Sequence, residues 1–534
     1  MGVPSETPAS VVQSLARHGY NAEREAVTLL ARAPDPPEAI GAVLENISEE
    51  TLRITVTDVR AVIDSAPIED PPQEPPVEAQ NTESNQATDT DSPVETEGVT
   101  SKQPKRDDPT DSSAVDDAEE IDTSGNRRAS DISLRSLSIA NDMTGQSTGT
   151  GEYKQFVRTF RDRYERLSKL LRSRVNHRPT KAISKMPGGS EAELIGLVND
   201  VRSTKGGHWL IELEDTTGTF PCLVTKDKNI SELVNELLMD ECIAVQGRLS
   251  DDAGIMFVDS LHFPDVPRTH RPSTADRHVQ AALISDIHVG SQEFMAEAWH
   301  QFTDWLHSEE AQHVEYLLIA GDMVEGVGVY PNQDKELDII DIYDQYEMFA
   351  EYLKEVPGDM EIVMIPGNHD AVRLAEPQPG FDDRLRDIMD IHDARIVSNP
   401  ATVTIENVSV LMYHGVSLDE VIAELPEEKA SYDEPHKAMY HLLKKRHVAP
   451  QYGGRNRLAP ETQDYLVIDN VPDIFHTGHV HKIGWGKYHN VLAVNSGCWQ
   501  AQTDFQKSVN INPDSGYAPI VDLDTLNMTV RKFV

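Results

Sequence analysis

The sequence predicts an α/β fold, and three observations carry that prediction. Five apolar runs each end in Asp, Asn or His, often beside Gly, the build of buried sheet strands whose C-terminal ends present polar groups to a ligand. Ahead of them, a stretch of short alternating runs broken by turn residues reads as a separate small β-domain. Ahead of that, apolar residues recur at three- and four-residue spacing, the period of amphipathic helices.

Residues 1–63 read as a small helical domain. Val11, Val12, Leu15 and Ala16 form one apolar stripe, and Ala26, Leu29 and Leu30 a second. Asp35-Pro36-Pro37-Glu38 has the form of a helix start, and the stripe continues at Ile40, Val43 and Leu44. No ligand cluster accompanies this module, so its expected work is contact with a partner or capping. From 64 to 151 Pro, Ser, Thr, Asp and Glu dominate and aromatics vanish. Such a composition buries too little surface to fold and predicts a disordered acidic linker. Over 152–185, Tyr153, Phe156, Val157, Phe160, Tyr164, Leu167 and Leu171 define an amphipathic connecting helix. Its other face carries Arg158, Arg161, Arg163, Arg166, Lys169, Arg172 and Arg174, either simply solvated or meeting phosphate or a partner.

Residues 186–268 form the β-domain, with runs at 194–198, 208–213, 220–224, 242–245 and 255–258, a helical stretch around 230–238, and a hairpin turn at Glu214-Asp215-Thr216-Thr217-Gly218. Five short strands and one helix resemble an OB-fold, which often binds single strands. Its few aromatics, Trp209, Phe220 and Phe257, make a poor stacking platform, so scaffolding or protein docking is the expected use.

The remaining residues, 276–534, hold the chemistry. Run 281–284 leads into Ser285-Asp286-Ile287-His288, and alternation along an extended strand would turn Asp286 and His288 toward one metal. Run 316–320 leads into Gly321-Asp322, with Gly326 beyond, and run 362–365 into Pro366-Gly367-Asn368-His369-Asp370. Run 408–413 ends in His414-Gly415, and 473–477 leads into Gly478-His479-Val480-His481. The glycines let the backbone approach a small ligand closely. Asp, His and Asn without thiolates suit a borderline divalent ion such as Mn, Fe or Zn, not a structural zinc site. Two such ions sharing a carboxylate lie roughly 3.5–4 Å apart and favour in-line displacement at phosphorus. One motif alone reads as well as a strand-end cap; five in series do not.

In order, D-x-H, G-D-x-x-x-G, G-N-H-D, H-G and G-H-x-H resemble the calcineurin-like metallophosphoesterases over 276–534. The resemblance implies a β-sandwich flanked by helices and two divalent metal ions, Mn²⁺ foremost with Mg²⁺ as the alternative. It implies Asp286, His288, Asp322 and His481 around one ion and Asp322, Asn368, His414 and His479 around the other, Asp322 bridging. His369 is implied as the catalytic group facing the scissile phosphate, with Asp370 as the neighbour that orients it. His476 is extra and reads as structural or supporting. Arg373 reads as a phosphate contact or an ordinary surface arginine. The insertion 420–454 reads as a wall over the strand terminus or a surface excursion.

An OB-like domain placed ahead of the phosphoesterase resembles the small subunits of replicative DNA polymerases, and intact ligands resemble the archaeal family-D type. What this implies is a 3′→5′ proofreading exonuclease acting on DNA at single-stranded or mismatched 3′ ends. It implies a large catalytic polymerase subunit as partner, in a heterodimer or larger assembly, and admits a sliding clamp. The run 521–534 alternates like a closing strand of the sheet, not like a clamp-binding tail. The alternatives are a non-enzymatic polymerase scaffold and a stand-alone phosphoesterase for small phosphoesters.

At 534 residues the chain has room for three or more domains, and its net charge of −42 is extreme for a protein that handles phosphates. Low Lys and abundant Asp resemble haloarchaeal proteins. At molar salt the Debye length is about 3 Å, so such a surface hardly repels DNA. The three cysteines, Cys222, Cys242 and Cys498, are too scattered for a zinc ribbon or a disulfide framework. No signal peptide or long apolar span is legible, so the expected location is cytoplasmic, with no membrane partner.

Overall fold

A computed structural model describes residues 132–148 and 151–534, apart from 331, 332, 392, 455, 509 and 510, and within the first 63 positions residues 11, 15, 21–22, 24–31, 33, 36–47 and 53–63. The chain divides into two units, 1–115 and 116–534. In the first, helices Arg24–Ala31, Pro36–Asn46 and Val56–Ile63 bury Ala26, Leu30, Ile40, Val43 and Val59 together with Val11 and Leu15. Pro36 opens its helix, where an absent N–H costs no intrahelical bond. Val12, Ala16 and the linker residues 64–131 lie outside the described residues.

The mixed α/β class holds. In the second unit, two six-stranded mixed sheets face each other. The first runs Arg395–Ile396, Glu361–Ile365, Val314–Ala320, Gln280–Ile284, Tyr517–Asp522, Asn527–Lys532; its first four strands are parallel and the last two antiparallel. The second runs Ile483–Tyr488, Val491–Ser496, Ile474–Thr477, Val408–Met412, Ala401–Ile405, Leu137–Ala140. Ala281, Leu283, Leu318 and Val363 of one meet Val403, Val410, Ile474 and Val494 of the other in a shared core. Helices Ala296–Leu306 and Ile342–Leu353 cover the outer face of the first sheet, and Ser417–Glu424 and Pro435–Lys445 that of the second. Burial on both faces explains why Val314–Ala320 is buried throughout and reads as a continuous apolar run, not an alternating one.

The last part of the expected linker is structured. Leu137–Ala140 pairs antiparallel with Ala401–Ile405, Leu137 and Ile139 pack on the shared core, and Arg135 lies 3.1 Å from Glu315. Two alternating apolar residues among serines give almost no local signal; the partner strand, distant in sequence, supplies the bonds.

Glu191–Ser203, Trp209–Asp215, Gly218–Val224, Met256–His262 and Cys242–Leu249 close into a five-stranded barrel. Its first turn is set by Asp215, whose Oδ1 accepts from the backbone N–H groups of Thr217 at 2.7 Å and Gly218 at 3.2 Å. The helical stretch shrinks to the single turn Ser231–Val234.

The connecting helix, Tyr153–Leu171, wedges Leu167 and Leu171 against Ile195, Ala244 and Val467. Its basic face is not uniformly solvated. Arg163 is buried, its Nε 2.7 Å from Asp464, and Arg166 lies 3.0 Å from Asp469. Arg158, Arg161, Lys169, Arg172 and Arg174 are exposed. The 420–454 insertion is no excursion: its helix Pro435–Lys445 buries Ala438, Met439, Leu442 and Leu443. That helix also reaches the barrel, where Lys445 Nζ lies 2.7 Å from Glu241 with both side chains buried.

Candidate metal centre

The seven residues implied as metal ligands meet in one pocket, at the C-terminal ends of strands from both sheets. Asp286 and His288 do not get there by strand alternation. The strand ends at Ile284, and both residues lie beyond it in left-handed backbone, at φ 53° and 58°. Asp322, His479 and His481 are also left-handed, at φ 51°, 70° and 54°. Each such non-glycine residue costs roughly 1–2 kcal/mol and persists only where its surroundings over-determine it. Here the bonds are visible: the N–H of Asp286 donates to Gly321 O at 2.9 Å, that of Ile287 to Asp322 O at 2.8 Å, and that of His479 to the Asp286 carboxylate at 2.9 Å.

The side chains form two overlapping groups. Asp286, His288 and His481 bring their ligand atoms together in one, and Asp322, His414 and His479 in the other. Asp322 Oδ2 lies 3.2 Å from His414 Nε2 and 3.9 Å from His288 Nε2, so it borders both groups. Asn368 Oδ1 lies 3.0 Å from His414 Nε2. Two glycines make room: a Cβ at Gly367 would sit 2.1 Å from Asp322 Oδ1, and one at Gly478 2.2 Å from Asp286 Oδ2.

The donor set fits cations. His414 Nδ1 donates to the Ala320 carbonyl at 2.8 Å, so its Nε2 presents a lone pair toward the Asp322 and Asn368 oxygens. Three acceptors converge on one point. His288 repeats the pattern, with Nδ1 2.9 Å from Glu325 and Nε2 3.0 Å from His481 Nε2. Asp286 and Asp322 are fully buried, and among the described residues no lysine or arginine pairs with either. Buried carboxylates without a cation are costly. The field is strong: burial opposes protonation of His414, yet the Asp322 carboxylate lifts it to about 10.

Glu325 is the functional residue that motif reading passed over. Burial would raise its pKa, yet His288 holds it down at about 2. It orients two histidines: its carboxylate holds His288, and its backbone carbonyl accepts from His369 Nδ1 at 2.7 Å. Tyr330 and Gln500 donate to it at 3.1 Å and 2.7 Å. The signal was within the G-D-x-x-x-G spacing, where Glu325 directly precedes Gly326. Carboxylates that orient ligand histidines are worth roughly 10–100-fold in metal affinity. Glu325→Gln is therefore expected to weaken Mn²⁺ binding by about that factor in equilibrium dialysis, with the fold intact. Asp419, 3.2 Å from His479 Nε2, and Gln506, 2.9 Å from His481 Nδ1, hold two further ligand rings without any sequence signal.

Three expectations are corrected. Asp370 does not orient His369; it accepts from Tyr346 OH and Gly367 N–H, each at 2.8 Å, and so closes its own loop. Burial, then the Asp322 charge, pushes Asp370 up to about 7. Arg373 is neither a phosphate contact nor a free surface arginine, being bonded to Glu461 at 2.8 Å and to Ser147 at 2.7 Å. His476 is buried with Nε2 3.0 Å from Ser496 and stands in neither ligand group.

Comparison with known proteins sets the class first. The model of the DNA polymerase alpha/epsilon B-subunit family matches residues 281–482, from the first strand of the first sheet to the last histidine motif. The chain is 60% identical over 537 aligned residues to a DNA polymerase II small subunit of Halobacterium salinarum, covering 99% of this chain and 100% of that protein. It is 46% identical to the DNA polymerase II small subunit of Archaeoglobus fulgidus, over 71% of this chain and 77% of that protein. The chain belongs to the DNA polymerase II small subunit family. Among solved structures, an archaeal phosphodiesterase aligns at 14% identity over 47% of this chain and 99% of its own, with a TM-score of 0.24, too low to carry an argument. Among the described residues, no helix is long and apolar enough to cross a membrane.

Proposed function

We propose that this polymerase small subunit is itself a hydrolase, a 3′→5′ proofreading exonuclease that works beside a large catalytic subunit. In this reading the two-sheet body is a calcineurin-like phosphoesterase and the barrel an OB-fold. The single observation that carries the proposal is two buried, uncompensated carboxylates, Asp286 and Asp322, meeting four histidines and Asn368 in one open pocket. Asp286, His288, Asp322 and His481 would hold one divalent cation, and Asp322, Asn368, His414 and His479 the other, Mn²⁺ best suiting this mix of carboxylate and imidazole. When bound, such a pair supplies Lewis acidity to the phosphoryl oxygens and activates a water.

The chain's own residues do the rest. Glu325, Ala320 and Gln506 fix the imidazoles so that the ligand nitrogens face inward. His369 is tied at Nδ1 to Glu325 and at its backbone N–H to Asp322, 2.8 Å away, so only Nε2 remains to pass a proton to the departing 3′-oxygen. A positioned acid of this kind contributes roughly 10²–10⁴-fold.

The test is digestion of 5′-labelled single-stranded and mismatched-primer DNA with Mn²⁺ in high potassium, with and without the co-purified large subunit. Wild type is expected to give a ladder shortening from the 3′ end, and His369→Ala to slow it by about 10²-fold while retaining metal. Bound metal without digestion in any condition would turn the assignment to a scaffold subunit. Hydrolysis of a small phosphodiester in preference to DNA would turn it to a small-molecule phosphoesterase.

A further inference from the structure

The pocket has aromatic walls that metal chemistry does not require. Phe505 stands beside it with 45% of its surface exposed, on the short helix Asp504–Ser508. Its ring stacks on Tyr330, centroids 5.1 Å apart and planes 24° from parallel. Tyr330 in turn lies 6.4 Å from the His369 ring. Across the pocket lining, Tyr432 is 37% exposed. Each tyrosine is tied by its hydroxyl to a carboxylate that holds a ligand histidine: Tyr330 to Glu325 at 3.1 Å, and Tyr432 to Asp419 at 3.0 Å. These rings are fixed to the same scaffold as the centre itself.

Exposing a phenylalanine at the rim of a charged pocket loses the burial energy that would otherwise place it in the core. The position makes sense if the ring is covered during turnover. Tyr330 occupies one face of Phe505, which leaves its other face available. Across Tyr330, Phe505 lies one ring beyond His369, the residue read as facing the scissile phosphate, so the stack stands about one nucleotide's reach from that phosphate. What lies there in a nucleic-acid substrate is a base. Aromatic faces accept any base, which suits an enzyme that must remove whichever nucleotide is misplaced.

We infer that Phe505, backed by Tyr330, forms a sequence-tolerant subsite on which the 3′-terminal nucleobase stacks while its phosphodiester is cleaved. This rests on the hydrolase reading above. It also makes a splayed, unpaired terminus the preferred substrate, because a base still stacked in a duplex cannot reach the ring.

The experiment uses the full chain with its large subunit and Mn²⁺. Single-turnover cleavage is followed on 5′-labelled oligonucleotides ending either in an ordinary nucleotide or in a tetrahydrofuran abasic residue. Wild type is expected to cleave the base-terminated strand about tenfold faster, the scale of one stacking contact. Phe505→Ala should lose that advantage by slowing the base-terminated strand alone, and Phe505→Tyr should keep it. Wild type indifferent to the terminal base, or Phe505→Ala slowing both strands equally, would overturn the subsite and leave the hydrolase reading standing. Failure of wild type to cleave either strand would overturn the hydrolase reading, and the subsite with it.

Discussion

Replacing Asp322 with alanine is expected to abolish phosphodiester hydrolysis and to strip metal from both halves of the centre at once. Its Oδ2 is 3.2 Å from His414 and 3.9 Å from His288, so this one side chain borders both ligand groups. Its Oδ1 also accepts the His369 N–H at 2.8 Å, which anchors the loop carrying the general acid. Loss of several kcal/mol of transition-state stabilisation corresponds to a fall on the order of 10³-fold or more. Metal content by mass spectrometry and turnover of labelled DNA read the two effects separately. Asp322→Asn keeps the side chain's size and an oxygen while removing the charge, and should retain the fold with little bound metal. An Asp322→Ala protein that keeps both metal and full activity would remove the basis of the assignment.

The second large effect concerns stability. Lys445 and Glu241 form a fully buried pair at 2.7 Å, the lysine also donating to Glu236 O at 2.7 Å. Burial pulls the lysine's pKa down and pushes the glutamate's up, each opposed by the other's charge. Such a pair adds little net stability, but half of it is expensive. Lys445→Ala should therefore destabilise the protein by roughly 3–5 kcal/mol at pH 8, read from a denaturant transition followed by tryptophan fluorescence. Glu241, left alone with its pKa raised, binds a proton more tightly folded than unfolded. Its penalty is present above the folded pKa and shrinks as pH falls through it, so the variant should recover part of the loss at pH 5. The double replacement Lys445→Met with Glu241→Leu should lie near wild type or above it. Equal losses in the single and double variants would contradict this account.

Strand-end chemistry was legible because each ligand stands next to a breaker: Gly321, Gly367, Gly415 and Gly478 mark where apolar runs stop and polar groups begin. The assembly of those groups from two different sheets was implied only by the order of the motifs. Three kinds of feature escaped. Long-range polar partners such as Asp419 and Gln506 carry no periodicity. Arg163 looked like part of a solvated face because helical spacing cannot show that Asp464, some three hundred positions later, closes over it. The left-handed turns at Asp286 and His288 gave the right juxtaposition for a different reason than strand alternation, since Asp and His carry no glycine-like mark of positive φ. Conversely, the alternation at 521–534 belongs to parts of two strands, Tyr517–Asp522 and Asn527–Lys532, turning at 523–526.

The short strand Leu137–Ala140 has a consequence for how the protein can be divided. It is the outermost strand of the second sheet, laid along Ala401–Ile405. Without it, that neighbour would present a row of unsatisfied N–H and C=O groups flanked by Thr402 and Thr404, an open template for another chain to add to. Four residues that look like the tail of a tether thus work as a guard against self-association. A fragment cut at 151, where composition suggests the folded part begins, removes that guard, whereas one cut before 132 keeps it.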